Sequence, residues 1–431
     1  MIRKTIFILS LILATSVTWA QANAAGETRF VDVIVSLNVD PATQPAAANR
    51  AFAREVARGY GVEARHAYGK VFSGFAARIP EGRLNALRND PLVESVQIDQ
   101  PIWAFQSCKN PRKPCDEPPP DDGGGGGDTG GSSQVIPWGI SRIGADINTN
   151  SGAGVDVYII DSGIDSDHPD LNVATGFASE NCKGKTCNVA WDDDDGHGTH
   201  VAGTVAALDN NIQVVGVAPG ATLHAVKVLN NRGSGSFSGI IAGIDWVAGQ
   251  VAASGRPAVA NMSLGGSGSK TGSCNNGQFS GSDNFHRALC AASAAGVVFV
   301  VAAGNSGADA ATAVPAAFDD TVITVSATSE GDNWPSWSNW GVPPVAIAAP
   351  GVNILSSWNN GSTNTISGTS MASPHAAGAA ALVLASGNAG SGFSAFVNTR
   401  QALLNASEPT ASFSNTSGNP HPEPFLNARG L

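Results

Sequence analysis

From residue 154 onward the chain alternates between two kinds of apolar segment. Gly154-Val155-Asp156-Val157-Tyr158-Ile159-Ile160-Asp161, Leu223-His224-Ala225-Val226-Lys227-Val228-Leu229 and Ala258-Val259-Ala260-Asn261-Met262-Ser263-Leu264 are strand-like, as are residues 297–302, 322–325 and 345–349. Between them, residues 237–250 and 285–295 carry helical spacing. Near-continuous apolar strands separated by helices predict a parallel sheet covered on both faces. In such a sheet the chemistry lies beyond the carboxyl ends of the strands. Asp161 and Asn305 both follow strand-like runs, so they fall where a site is expected.

Residues 28–103 follow a different pattern. Strand-like runs at 30–35, 74–79 and 93–98 alternate with helical composition at 46–59 and 80–89. The order predicts a small ferredoxin-like α+β module ahead of the α/β domain. Between the two, residues 104–133 hold Pro118-Pro119-Pro120-Asp121-Asp122-Gly123 and a glycine run ending near Ser133. Such a stretch buries no apolar surface and is expected to be an exposed linker open to proteolysis. Residues 1–25 have a leader's layout: Arg3 and Lys4, an apolar stretch over 6–14, then Ala22-Asn23-Ala24. That stretch is too short to span a bilayer comfortably, so export without a membrane anchor is expected. The α/β domain then occupies residues 134–431.

Composition narrows the partners. Residues 1–134 carry 14 basic and 14 acidic side chains, which leaves 10 against 21 in residues 135–431. The net negative charge therefore sits in the α/β domain and argues against nucleic acid. Six cysteines in an exported chain suit disulfides, and six allow 15 connectivities. Their spacing suggests local pairs, Cys108–Cys115, Cys182–Cys187 and Cys274–Cys290.

The candidate chemistry centres on Gly368-Thr369-Ser370-Met371-Ala372-Ser373-Pro374-His375, followed by an alanine-rich helical run. This puts Ser370 at the start of a buried helix, where free backbone N–H groups favour a developing anion. Alone, Ser370 is equally well a helix cap. A serine hydroxyl becomes a nucleophile only when an imidazole takes its proton, and the imidazole needs an acid to hold its tautomer. Asp161-Ser162-Gly163 and Asp195-Gly196-His197-Gly198-Thr199-His200 supply both, in the chain order Asp, His, Ser. An α/β-hydrolase would run Ser, acid, His around a Gly-x-Ser-x-Gly elbow, and Ala372 stands where that elbow needs glycine.

Together these segments resemble the subtilisin-like serine proteases, closely the proteinase K group, over residues 135–431. The resemblance implies a three-layer fold with a mostly parallel sheet. It makes Asp161 the orienting acid, His197 the general base and Ser370 the nucleophile. Asn305 and the Ser370 N–H become the oxyanion donors, while His200 and His375 are helix-face neighbours. Gly233-Ser234-Gly235 and Ser263-Leu264-Gly265-Gly266 would sandwich an extended substrate as an added strand, and Ala302-Ala303-Gly304 with Gly265-Gly266 would line a roomy uncharged pocket. Broad cleavage after apolar or aromatic residues is expected. Residues 28–103 resemble the family's inhibitor-like propeptide, with self-processing in or near the linker and a mature start close to Gln134. A monomer acting on peptide and protein substrates is expected, with no nucleic acid or membrane partner. No cofactor is expected for the chemistry. One or more structural calcium ions are expected. The run Asp192-Asp193-Asp194-Asp195 offers hard oxygens, whereas one family site near Asp319 and Thr321 lacks its aspartate because Ala346 stands there. A catalytically silent peptide-binding protein on the same fold is the rival reading.

Overall fold

The structure, a computed structural model, describes residues 29–105, 133–184, 186–415 and 417–431. The expected leader, nearly all of the expected linker and the Cys108–Cys115 pair lie outside the described residues.

Seven strands form the central sheet, every neighbouring pair parallel. In spatial order they are Val345–Pro350, Val322–Thr328, Val297–Ala302, Ala258–Met262, Asp156–Asp161, Thr222–Lys227 and Val173–Ala178. Strand alternation divides the core between two faces. Val157 and Ile159 point to a cluster with Val201 and Val205 of helix His197–Ala206 and Met371 and Ala372 of helix Thr369–Ala385. Tyr158 and Ile160 point the other way, to Ile240 and Ile241 of helix Phe237–Ser254 and Phe285 of helix Asn284–Ala294. Both faces are covered, which is why the strands are apolar throughout. Cys182–Cys187 and Cys274–Cys290 pair as their spacing suggests.

The N-terminal module has the order β-α-β-β-α-β, with a four-stranded sheet. Strand Phe30–Leu37 also divides by alternation. Val33, Val35 and Leu37 build the module's own core, and Ile34 joins the apolar cluster beneath helices Phe237–Ser254 and Asn284–Ala294. Polar groups of the module complete the two helix starts it covers. Asp99 accepts from the Ser238 N–H and hydroxyl, and Gln97 accepts from the Asn284 N–H. In return Asp245 of the larger domain accepts the N–H groups of Gly69, Lys70 and Val71, and pairs with Arg50.

Where the sequence reading ends the module at 103, the chain continues as a strand, Pro101–Ala104, and reaches Phe105. This strand lies antiparallel between Ser234–Ser236 and Leu264–Ser267 of the larger domain.

Candidate active site

Helix Thr369–Ala385 is buried nearly all round, as its alanine-rich sequence requires. Its Pro374 lies in the second turn. Having no N–H, Pro374 leaves the carbonyl of Ser370 without its helical donor. The Ser263 hydroxyl supplies one at 2.8 Å. Asn261 Nδ2 in turn donates to Ser263 Oγ at 2.9 Å, and Ser373 Oγ donates to Asn261 Oδ1 at 2.7 Å. This buried relay pins the helix start against the end of strand Ala258–Met262.

Asp161 ends its strand and is fully buried. His197 begins the neighbouring helix, and its Nδ1 donates to Asp161 Oδ1 at 2.8 Å. The close approach depends on Gly198, where a Cβ would lie 2.1 Å from the carbonyl oxygen of Gly163. Burial opposes the charged imidazolium, but the Asp161 carboxylate, aided by Asp195 and Asp193, outweighs it and raises His197 above the ordinary histidine range. Two other buried histidines close to it move the opposite way. His200, bonded to the Ile354 carbonyl, is lowered by burial to about 3, and His375, bonded to the Met371 carbonyl, to about 4. Of the three, only His197 is poised for proton transfer. Its Nε2 is buried without a hydrogen-bond partner among the described residues.

Ser370 Oγ lies 2.9 Å from the carbonyl oxygen of Phe105 and 3.0 Å from that of Ser263. Its single proton can serve only one of them, and it is not shared with His197 in this arrangement. Asn305 Nδ2 donates to the same Phe105 oxygen at 2.8 Å. The amide is aimed by its other end, since Oδ1 accepts from Thr369 N at 2.9 Å and Thr369 Oγ1 at 2.7 Å. A hydroxyl and a fixed amide thus converge on one peptide carbonyl. That is the ground-state side of an acyl-transfer site.

The peptide that presents this carbonyl is bound through its backbone. Ala104 N–H donates to the Gly233 carbonyl at 2.9 Å and Phe105 N–H to Ser263 at 3.3 Å. Ile102 and Trp103 face Gly235 and Ser234, while Ala104 and Trp103 face Leu264 and Gly265. Ile102 is fully buried in an apolar cluster with Leu264 and Phe237, whereas Trp103 is half exposed. The Phe105 ring lies against Gly265, where a Cβ would fall 2.1 Å from its Cζ, and near Gly304, where the distance would be 3.6 Å. Gly266 lies farther out, where a Cβ would sit 3.2 Å from the Pro101 carbonyl oxygen. Ala302 is fully buried at the end of its strand, and Ala303 packs in a small cluster with Ala310, Ala313, Ala316 and Val345. Of the five pocket residues read from sequence, Gly265 and Gly304 are the ones beside the Phe105 ring.

The acidic run is turned to other uses. Asp192 accepts from Ser166 N and Asn188 N; Asp193 from Ser162 Oγ, Asp195 N, Gly196 N, Thr199 N and Thr199 Oγ1; Asp194 from Lys183 N and Lys227 Nζ. Protein donors, therefore, already occupy these oxygens. Among the described residues one His/Cys/Asp/Glu cluster is tight enough to hold a metal, Cys182, Cys187 and Asp194, but its sulfurs are joined in a disulfide. A better oxygen site is one the sequence reading misses. Asp170 is fully buried, its Oδ1 has no hydrogen-bond partner among the described residues, and burial raises it to about 6. Beside it Asn210 reaches the same carboxylate, and Gln134 Nε2 spans the carbonyl oxygens of Leu208 and Val214 at 2.6 and 2.9 Å. Asp170 Oδ2 accepts from Val214 N at 3.2 Å, so a buried carboxylate with one free oxygen stands beside two backbone carbonyls and two side-chain amides, groups that can supply the oxygen donors of a hard cation.

Comparison with known proteins agrees with this geometry. Residues 152–421 match the model of the subtilase family, and residues 33–103 that of the peptidase inhibitor I9 family. Subtilisin DY of Bacillus licheniformis is 43% identical over 258 residues, covering 58% of this chain and 85% of that protein. Subtilisin E of Bacillus subtilis (strain 168) is 37% identical over 321 residues, covering 73% of this chain and 71% of its own. Among solved structures, a cold adapted subtilisin-like serine proteinase matches with a TM-score of 0.55 at 34% identity, over 69% of this chain and 99% of that one.

Proposed function

This chain belongs to the subtilase family and is a serine endopeptidase, and from that premise we propose that Ser370 is its nucleophile, His197 its general base and Asp161 the acid that orients His197. In the first step the Ser370 hydroxyl rotates toward His197 Nε2 and gives up its proton as Oγ attacks the substrate carbonyl. The oxyanion that forms is received by Asn305 Nδ2 and the Ser370 N–H. His197 then passes the proton to the leaving amine; in the second half it takes a proton from water, whose oxygen attacks the acyl carbonyl, and returns a proton to Ser370 Oγ as the ester bond breaks. Substrates bind as an added strand between residues 234–236 and 264–267, with an aromatic or large apolar residue before the cut.

The observation that carries this reading is the Phe105 carbonyl, held by both Ser370 Oγ and Asn305 Nδ2 at the end of a strand already bound as a substrate would be. It also supports maturation by self-cleavage. The bond presented to Ser370 is Phe105–Gln106, at the near end of the linker, not one beside Gln134. The released module would keep its grip through residues 101–105 and inhibit until it is removed. The leader-like residues 1–25 and the disulfides support export, and no helix among the described residues is long and apolar enough to cross a membrane. The test is hydrolysis of a peptide anilide with phenylalanine before the anilide. We expect turnover in processed protein that a phosphonyl or sulfonyl fluoride abolishes. Folded, processed protein without such activity would instead be the silent peptide-binding form.

We also place a structural calcium ion at Asp170, with oxygens from Gln134, Asn210, Leu208 and Val214. It would stabilise the fold and take no part in the chemistry. Its binding needs the ionised carboxylate, so acid should release it. Since Asp170 is raised to about 6, the calcium-dependent gain in Tm should be full well above pH 6 and fade below it. Calorimetry with calcium or with a chelator reads this directly. An equal gain at pH 5 and pH 8, or one retained in Asp170→Asn, would rule the site out.

A further inference from the structure

The catalytic reading gives no task to Lys227, although its side chain is fully buried. A buried ammonium is costly unless it is paired and fully hydrogen-bonded, so its partners are informative. Lys227 ends the strand beside Asp161 and is Asp161's register partner in the sheet. Its Nζ donates to the carbonyl of Ser162 at 2.5 Å, to Asp194 Oδ1 at 2.6 Å and to the carbonyl of Leu229 at 3.1 Å. All three N–H groups are used.

Two of these acceptors belong to the segments that carry the acid and the base. Ser162 follows Asp161 directly, and Asp194 stands three residues before His197. A second tie joins the same segments, since Ser162 Oγ donates to Asp193 Oδ1 and accepts from Gly198 N, both at 2.9 Å. Asp194 is steadied from outside, where its Oδ2 accepts from Lys183 N at 2.7 Å, within the loop closed by Cys182–Cys187. We propose that Lys227 is a positioning residue for the triad: paired with Asp194, its ammonium clamps the turn after Asp161 to the segment before His197 and fixes the separation of acid and base. The proposal rests on the triad reading above.

The charges facing His197 are Asp161, Asp193 and Asp195, with His200 on its own helix. Lys227 with Asp194 adds a nearby neutral pair. Lys227→Met leaves Asp194 uncompensated, which favours the imidazolium and moves the acid limb of the kcat profile to higher pH. In Lys227→Met/Asp194→Asn both charges go, so the limb should return while the clamp stays broken.

The test measures kcat, KM and the pH profile of the processed enzyme on the anilide, with Tm by calorimetry. A misplaced acid–base pair should lower kcat by about 10²-fold in either variant and leave KM unchanged. The acid limb should move up in the single variant only. A folded variant with the parent's kcat and acid limb, whatever its Tm, would overturn the proposal and reduce Lys227 to a stabilising residue. Should the single variant fail to fold, the charge-free double variant decides by its kcat. If the parent itself lacks fluoride-sensitive activity, the triad reading fails first, and separately.

Discussion

Ser370→Ala is expected to persist as the full-length precursor, folded and uncut. The Phe105 carbonyl would still be held by Asn305, and residues 101–105 would still fill the cleft, because those contacts are made by backbone and by a second side chain. What disappears is the hydroxyl that lies 2.9 Å from that carbonyl oxygen. On the anilide the loss should be about 10⁶-fold in kcat, the size of the effect in subtilisin itself, carried over by family. Electrophoresis of the purified variant beside the parent reads the precursor directly. Normal processing in Ser370→Ala would refute self-cleavage and leave maturation to another protease.

The second large effect belongs to Asn305. Leucine at this position keeps the volume and removes the amide that donates to the carbonyl oxygen at 2.8 Å. It also leaves Thr369 N and Oγ1 without the acceptor they share. The amide bonds most strongly to an oxygen bearing full charge, so its loss should appear in kcat and hardly in KM. The expected drop is about 10²–10³-fold, again the magnitude of the corresponding amide in subtilisin. Self-processing should slow in proportion and be visible as a lasting precursor band. Steady-state kinetics on the anilide separate the outcomes: a rise in KM with unchanged kcat would make Asn305 a substrate-binding residue and remove it from the oxyanion site.

Much of the fold was legible because burial on both faces of a parallel sheet forces apolar runs, and six of the seven central strands have one. Val173–Ala178 lacks it because it is a half-exposed edge, with Thr175 and Gly176 where a central strand would be apolar. His66–Tyr68 is too short for any period to show. The three motifs carried the candidate triad, and the nearby histidines separate by environment once burial is known. Other features depend on distance in space, which spacing along the chain does not carry. Strand Pro101–Ala104 has four residues, and its partners belong to the other domain, so the sequence reading ended the module two residues before Phe105. The oxygens around Asp170 come from residues 134, 170, 208, 210 and 214, no two adjacent. Lys227 read as one polar residue in a strand until its three acceptors were seen. The acidic run, attractive for calcium as sequence, is a set of acceptors for N–H, O–H and ammonium donors that build the approach to His197.

The central claim is that this endopeptidase holds its own chain in the cleft with the bond after Phe105 presented to Ser370. Time-resolved intact-mass spectrometry of the freshly folded full-length chain tests it most directly. The first products should be a fragment ending at Phe105 and a complementary chain beginning at Gln106, appearing together and absent from Ser370→Ala. A first product beginning at Gln134, with the Phe105–Gln106 bond still intact, would contradict the account.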